Sequence, residues 1–209
     1  MKSKARRVNF VIVSVFSSGL AYGAEPSDTI TPAVVVTATR VEQSSFDLPA
    51  SIDSVDGKSI REAQLQVNLS ESLARVPGLV IQNRQNFAQD LQVSLRGFGA
   101  RSTFGVRGIR LYTDNIPATM PDGQGQVSHF DLGSADRIEV LRGPFSALYG
   151  NSSGGVISLF TEDGKPGALI ESNAAFGSYN TRRVGLKASG DTGALNYTLS
   201  GAQFETDGY

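Results

Sequence analysis

Three runs near the C-terminal end, residues 168–176, 183–190 and 194–204, limit most strongly what this chain can fold into. Each has roughly the length of a membrane-crossing strand, and the turns Gly177-Ser178-Tyr179-Asn180 and Asp191-Thr192-Gly193 join them. In the second run Val184, Leu186 and Ala188 fall on one face, with Arg183, Lys187 and Ser189 on the other. In the third, Leu195, Tyr197 and Leu199 oppose Asn196, Thr198 and Ser200. A period of two with short connections means an antiparallel meander. Segments of about ten residues with this alternation suit outer-membrane barrel strands. They suit a soluble meander equally well, and the pattern alone does not choose.

Residues 48–163 have a mixed texture. Strand is expected at 51–55 and a short helix around 58–64. Asn68 is a good N-cap and Glu71 sits three residues later, so a helix is expected over 69–76. Pro77-Gly78 stops it, and strand resumes at 79–82. Leu91, Val93 and Leu95 alternate with Gln92, Ser94 and Arg96, as in a half-buried strand. Further strands are expected at 109–113, 138–141 and 156–160. The connections 97–108 and 115–130 are long and glycine-rich, and loops of that length are usually functional. The expected class is α+β: a small mixed β-sheet with short helices, followed by antiparallel strands.

The charges before residue 24 are all basic: Lys2, Lys4, Arg6 and Arg7. An apolar run over 8–20 and the small-residue stretch Ala21-Tyr22-Gly23-Ala24 follow, which reads as a secretory signal cleaved after Gly23. About 13 apolar residues are too few to cross roughly 30 Å of hydrocarbon as a helix. Without residues 1–23 the chain carries 15 basic and 20 acidic residues. Residues 24–47 are polar and Pro-punctuated around Ala33-Val34-Val35-Val36-Thr37-Ala38. This β-branched run favours extended backbone. It reads either as an N-terminal strand of the next domain or as a segment that another protein captures at a sheet edge.

Composition narrows the chemistry. With 19 Lys+Arg against 20 Asp+Glu there is no basic excess for nucleic acid. The absence of Cys removes thiolate chemistry and Cys-based zinc sites, and His129 is the one imidazole. Gly150-Asn151-Ser152-Ser153-Gly154 spells a nucleophile elbow, but a strand is expected after it and the only His lies upstream. No acid–base carboxylate pair is evident. The chain reads as a non-enzyme with no metal or cofactor. What stands out is arginine before glycine at expected strand ends, at Arg96, Arg107 and Arg142. Arginine forks suit carboxylates, and the apolar strands before Arg96 and Arg142 predict at least partial burial of both.

Asp136-Arg137-Ile138-Glu139-Val140-Leu141-Arg142-Gly143-Pro144 runs on through Phe145-Ser146-Ala147-Leu148-Tyr149-Gly150 to Gly154-Gly155-Val156-Ile157. This closely resembles the end of the plug domain of TonB-dependent outer-membrane receptors. Residues 69–78 with Leu95-Arg96-Gly97 resemble the middle of the same plug. Residues 34–38 resemble the TonB box, although the acidic–threonine lead-in, Asp28-Thr29, is displaced. The resemblance implies a signal peptide (1–23), an extension (24–47) with the TonB box at 33–38, a plug (48–163) and the truncated start of a β-barrel (164–209) of about 22 strands.

The resemblance further implies transport across a Gram-negative outer membrane. The plug would occlude the barrel, with the N-terminus in the periplasm and lipid around the barrel. TonB would capture Val34, Val35, Val36, Thr37 and Ala38 as an added strand. Substrate would meet plug apices at 83–90, 98–107 and 115–126, through Arg84, Gln85, Asn86, Arg101, Ser102 and Phe104. Arg84 and Arg101 suit an anionic substrate, and Phe104 suits stacking on a planar ring. Arg96 and Arg142 would pair with barrel carboxylates beyond residue 209 and lock the plug. Residues 83–90, 96–99 and 117–126 also resemble the branch that takes up pyrroloquinoline quinone (PQQ). A siderophore or other iron complex is the alternative substrate. A truncated periplasmic interaction module without transport is the alternative class.

Overall fold

The computed structural model describes Val35–Val36, Gln43–Ser44 and residues 50–87, 89–102, 105–143, 146–150 and 152–208. The expected signal peptide lies outside these residues. β1 (Val35–Val36) and β2 (Gln43–Ser44) form a separate antiparallel ladder, pairing Val35 with Ser44 and Val36 with Gln43.

The plug body begins with β3 (Ser51–Asp56) and α1 (Gly57–Arg61). Asp56 caps α1 by accepting from Ser59 N at 2.7 Å. The helix stops short of the expected residue 64 because the chain turns left-handed at Ala63, where φ is 57°. Glycine is needed at its start: a Cβ on Gly57 would lie 2.7 Å from the carbonyl oxygens of Ala135 and Asp136. α2 (Ser70–Leu73) is a single turn, shorter than the expected 69–76. Glu71 reaches back, as expected, to Asn68 N at 2.8 Å, and also accepts from Gln66 N and Val67 N. The N-cap position falls on Leu69 rather than on the expected Asn68, so no side chain caps the turn. Beyond Leu73 the bonds tighten to i→i+3, Val76 N to Leu73 O and Leu79 N to Val76 O, so the turn does not propagate.

β4 (Leu79–Gln82) and β5 (Gln92–Leu95) pair antiparallel, as do the short β6 (Val106–Arg107) and β9 (Gln124–Gly125). The main sheet uses β7 (Ile109–Thr113), β8 (Ile116–Pro117), β10 (Ala135–Arg142) and β11 (Gly155–Thr161), in the order β3-β10-β11-β7-β8. It is mixed: β11 runs parallel to β7 and antiparallel to β10. α3 (Ser146–Tyr149) lies between β10 and β11. The core explains the strands. Ile138 and Val140 alternate on β10, Ile157 and Leu159 on β11, and Leu73, Leu95 and Leu111 join them at 0% or nearly 0% exposure. Each such side chain contributes about 1.5–3 kcal/mol of burial. Glu139, on the other face of β10, is also fully buried, and Arg137 Nε donates to it at 2.9 Å.

β12 (Gly167–Phe176), β13 (Arg182–Asp191) and β14 (Asn196–Glu205) follow as a separate antiparallel meander of ten-residue strands. Its register is unbroken, from Gly167 opposite Asp191 to Phe176 opposite Arg182. Tyr179 and Asn180 turn the first hairpin at φ 57° and 54°, the left-handed pair that matches strand twist.

Candidate functional site

The meander packs inside out. Ile170, Val184, Leu186 and Leu199 share one face and are 55–73% exposed. Arg183, Lys187 and Ser189, on the opposite face, are buried against the plug body. A soluble meander would bury the apolar face, because that is where the hydrophobic gain lies. The reverse arrangement is that of a barrel wall, with an apolar band outside and polar side chains inside. Tyr197 and Phe176 stand near opposite ends of the outer face, where barrel walls carry aromatic girdles. Among the described residues no helix is long and apolar enough to cross a membrane.

The buried polar face forms a seam with the plug. Lys187 Nζ lies 2.5 Å from Glu162 Oε1, just past β11, and 2.5 Å from Glu171 Oε2 on β12. Arg61 of α1 approaches the other Glu162 oxygen at 3.6 Å. Charges therefore alternate from Arg61 through Glu162 and Lys187 to Glu171. Arg183 donates to Asn173 beside it and, at 3.2 Å, to Gln66 of the plug. Ser200 donates to Asp131, which also receives Ser134 Oγ and Gly133 N. Burial pushes the Asp131 carboxyl up, but these hydrogen bonds outweigh it and hold the group below the usual carboxylate range. Farther along β14, Phe204 meets Phe87 edge to face, with ring centres 5.1 Å apart. A cavity of about 470 Å³ runs along the seam between Lys58, Arg61, Gln66, Asp131, Arg183 and Lys187.

Two of the expected substrate loops emerge side by side. The β4–β5 ladder ends at Gln82 opposite Gln92, where loop 83–91 begins and returns, and Gln92 Nε2 donates to Ala100 O at 2.7 Å. Arg84, Gln85, Asn86 and Arg101 are exposed on these loops. Arg84 reaches Gln89 at 3.5 Å, and Gln85 holds φ at 55° with its N–H on Asn83. Ser102 is buried and donates to Gly105 O, so it shapes the loop from within. Phe104 lies outside the described residues. The third segment, 115–126, starts elsewhere: Asp114 accepts from the backbone and hydroxyl of Thr161, which puts that turn at the strand end leading into β12. Farther along the same segment the chain turns again, where Gly123 N donates to Met120 O at 2.9 Å.

The two arginines meet at one turn. Arg142 Nη1 donates to Pro77 O at 3.0 Å, and Arg96 N donates to Gly78 O at 2.9 Å. Arg96 is exposed, against the expectation of partial burial: β5 ends at fully buried Leu95, and the next residue turns out of the core at φ 51°. Arg142 is half-buried and has a carboxylate partner within the plug, with Nη2 2.5 Å from Asp53 Oδ2. The resemblance implies barrel carboxylates beyond residue 209 for this arginine; within the described residues its carboxylate partner is Asp53. β3 and β10 are antiparallel neighbours, so Asp53 and Arg142 share the core-facing side of the sheet. Arg142 Nε remains buried without a hydrogen-bond partner among the described residues. Of the expected TonB-binding segment, Val35 and Val36 form β1, while Val34, Thr37 and Ala38 lie outside the described residues.

Sequence reading missed Gln66, Asp131 and Glu162, because nothing local marks a plug residue as facing a strand up to 117 positions away. The wall half of the seam was legible, since Arg183, Lys187 and Ser189 stand together on the polar face of β13.

Residues 44–156 match the family described as the TonB-dependent receptor plug domain. The fold is similar to that of FyuA, the ferric yersiniabactin uptake receptor of Yersinia pestis, at 26% identity and a TM-score of 0.59, over 73% of this chain and 24% of that one. It is also similar to the alcaligin outer-membrane receptor FauA of Bordetella pertussis, at 20% identity and 0.65, over 83% and 29%. BauA, the ferric preacinetobactin receptor of Acinetobacter baumannii, matches at 16% identity and 0.66, over 83% and 25%. The chain thus spans about a quarter of the length of these receptors.

Proposed function

The chain belongs to the TonB-dependent receptor plug-domain family, and we propose that it is the plug and first wall strands of an outer-membrane receptor for energy-coupled uptake of a ferric siderophore. The observation that carries this reading is the inverted meander: exposed Leu186 and Ile170 suit lipid, while buried Lys187 and Arg183 hold the plug. A receptor of this kind needs a lumen that grips its plug through polar contacts and a wall whose outside needs no water. The likeness to FyuA at 26% identity favours a ferric complex over the PQQ expected from loop resemblance.

In this reading the Val35–Val36 segment pairs with TonB through main-chain hydrogen bonds on the periplasmic side. The exposed guanidiniums of Arg84 and Arg101, together with Gln85 and Asn86, meet anionic groups of the ligand. Exposed Arg96 and the half-buried guanidinium of Arg142 meet carboxylates of the rest of the barrel. Chemistry is left to other proteins; this one binds and moves its cargo.

The test is titration of the complete receptor with a panel of ferric siderophores and with PQQ. A ferric siderophore is expected to bind, with Arg84→Ala and Arg101→Ala each weakening it by about 1.5–3 kcal/mol, the range for hydrogen bonds to charged groups. Binding of PQQ alone would overturn the substrate class. Unchanged affinity in both variants would overturn the residue assignment.

A further inference from the structure

Arg183 and Lys187 stand on the plug-facing side of β13, and both are nearly sealed from water, at 6% and 8% exposure. Their partners differ. Lys187 Nζ has two carboxylates, Glu162 and Glu171, each at 2.5 Å. Arg183 has none among the described residues: Nη1 donates to the side-chain oxygen of Asn173 and Nη2 to that of Gln66, both neutral amides. A guanidinium carries five N–H donors, so most of its donor capacity and all of its charge are left over. A buried cation without a counter-charge is costly. The other cations on the seam cavity are answered, Lys58 by Glu62 at 4.0 Å and Arg61 by Glu162 at 3.6 Å. Arg183 also has room. A Cβ on Gly185, the position between Arg183 and Lys187 on this face, would lie 3.0 Å from Arg183 Nη1 and 2.6 Å from Asn173 Oδ1. The cavity of about 470 Å³ beside it falls within the roughly 300–1,000 Å³ of small-molecule sites. Asp131 lines the same cavity, but its oxygens accept from Gly133 N, Ser134 and Ser200 rather than from Arg183.

We propose that the seam cavity is a binding site for a single carboxylate of a small organic acid, held by Arg183 between wall and plug. The planar fork of a guanidinium matches a carboxylate through paired N–H···O bonds. Gln66 and Asn173 orient that fork without neutralising it. Asp131 sets the charge of the ligand. It repels a second negative charge at the same cavity, so a monoanion fits and a dianion such as sulfate does not. The site is separate from exposed Arg84 and Arg101 on the apex loops, and it does not depend on which cargo the receptor carries.

Carbon-13 formate titrated against the complete receptor in detergent micelles, at constant ionic strength, reads the site through its line width. Broadening is expected to saturate, with acetate competing for it and sulfate competing less well than acetate. Arg183→Met is expected to weaken the saturable component by roughly ten-fold or more, the scale of a lost hydrogen bond to a charged group. Gln66→Ala is expected to retain it, because that change removes a neutral partner and leaves the cation. Since it loosens the same wall–plug contact, it separates a missing cation from a loosened seam. No saturable broadening in the complete receptor would overturn the site and mean that the rest of the barrel supplies a carboxylate to Arg183. Unchanged binding in Arg183→Met, or an equal loss in Gln66→Ala, would overturn Arg183 as the holder. Sulfate competing better than acetate would overturn the preference for a single charge.

Discussion

Lys187 on β13 lies 2.5 Å from Glu162 of the plug, so here the wall supplies the cation and the plug the carboxylate. That polarity is opposite to the expected lock, in which plug arginines reach for barrel carboxylates. Both polarities can hold one plug. Only the first is complete within this chain.

Replacing Lys187 with Met leaves Glu162 and Glu171 facing one another without their shared cation. Fully buried pairs lose about 3–5 kcal/mol when one member goes. Glu171 is half-exposed, so water takes up part of the loss. The expected destabilisation of the complete receptor is about 1.5–3 kcal/mol, read as a lower urea midpoint for plug release. An unchanged midpoint would make the contact incidental.

Arg142→Met removes the partner of Asp53 and of Pro77 O. It should therefore destabilise the plug body itself by about 1.5–3 kcal/mol, measured by denaturation of residues 24–163 if that segment folds, and of the complete receptor otherwise. Asp53→Asn combined with Arg142→Met should cost less than the sum of the two single changes. Strict additivity would mean that the pair is not coupled.

Asp131 gives the seam a pH dependence whose sign is fixed. Its carboxyl is held below the usual range in the folded protein, after burial is offset by Ser134, Ser200 and Gly133. A lowered folded pKa stabilises above the unfolded value, and that contribution is lost as pH falls through the folded one. Asp131→Asn should therefore lower the urea midpoint at pH 7 and converge with the parent in strong acid. A constant gap at every pH would contradict the assignment.

Val35→Pro should abolish uptake while leaving substrate binding intact, because proline removes a backbone donor from the strand that TonB would pair with. Val35→Ala should be mild. Uptake assays and cell-surface binding separate the two effects; normal uptake by the proline variant would remove the partner-strand reading.

Much of the fold was legible because its signals are local. The strand at 79–82 and the turn at Pro77-Gly78 follow from residue type alone, and β7 spans the expected residues 109–113. The helices are shorter than their patterns suggest: the chain turns left-handed at Ala63, and the bonds after Leu73 tighten to i→i+3. The site was half legible. Alternation placed Lys187 and Arg183 on one face, but which face would be buried depends on Glu162, Gln66 and Asp131, and the sequence does not show what they meet. Arg96 shows the converse: an apolar strand before it suggested burial, and one positive φ turned it outward.

The apolar face of the meander is expected to meet lipid, and the charged face the plug. Spin labels placed one at a time along residues 182–191 of the complete receptor in liposomes separate the two faces. Collision with oxygen, which concentrates in lipid, should peak at 184, 186 and 188, while 183, 187 and 189 should be shielded from both oxygen and a water-soluble quencher. A scan in which 184, 186 and 188 meet the water-soluble quencher instead would contradict the account and return the meander to a soluble surface.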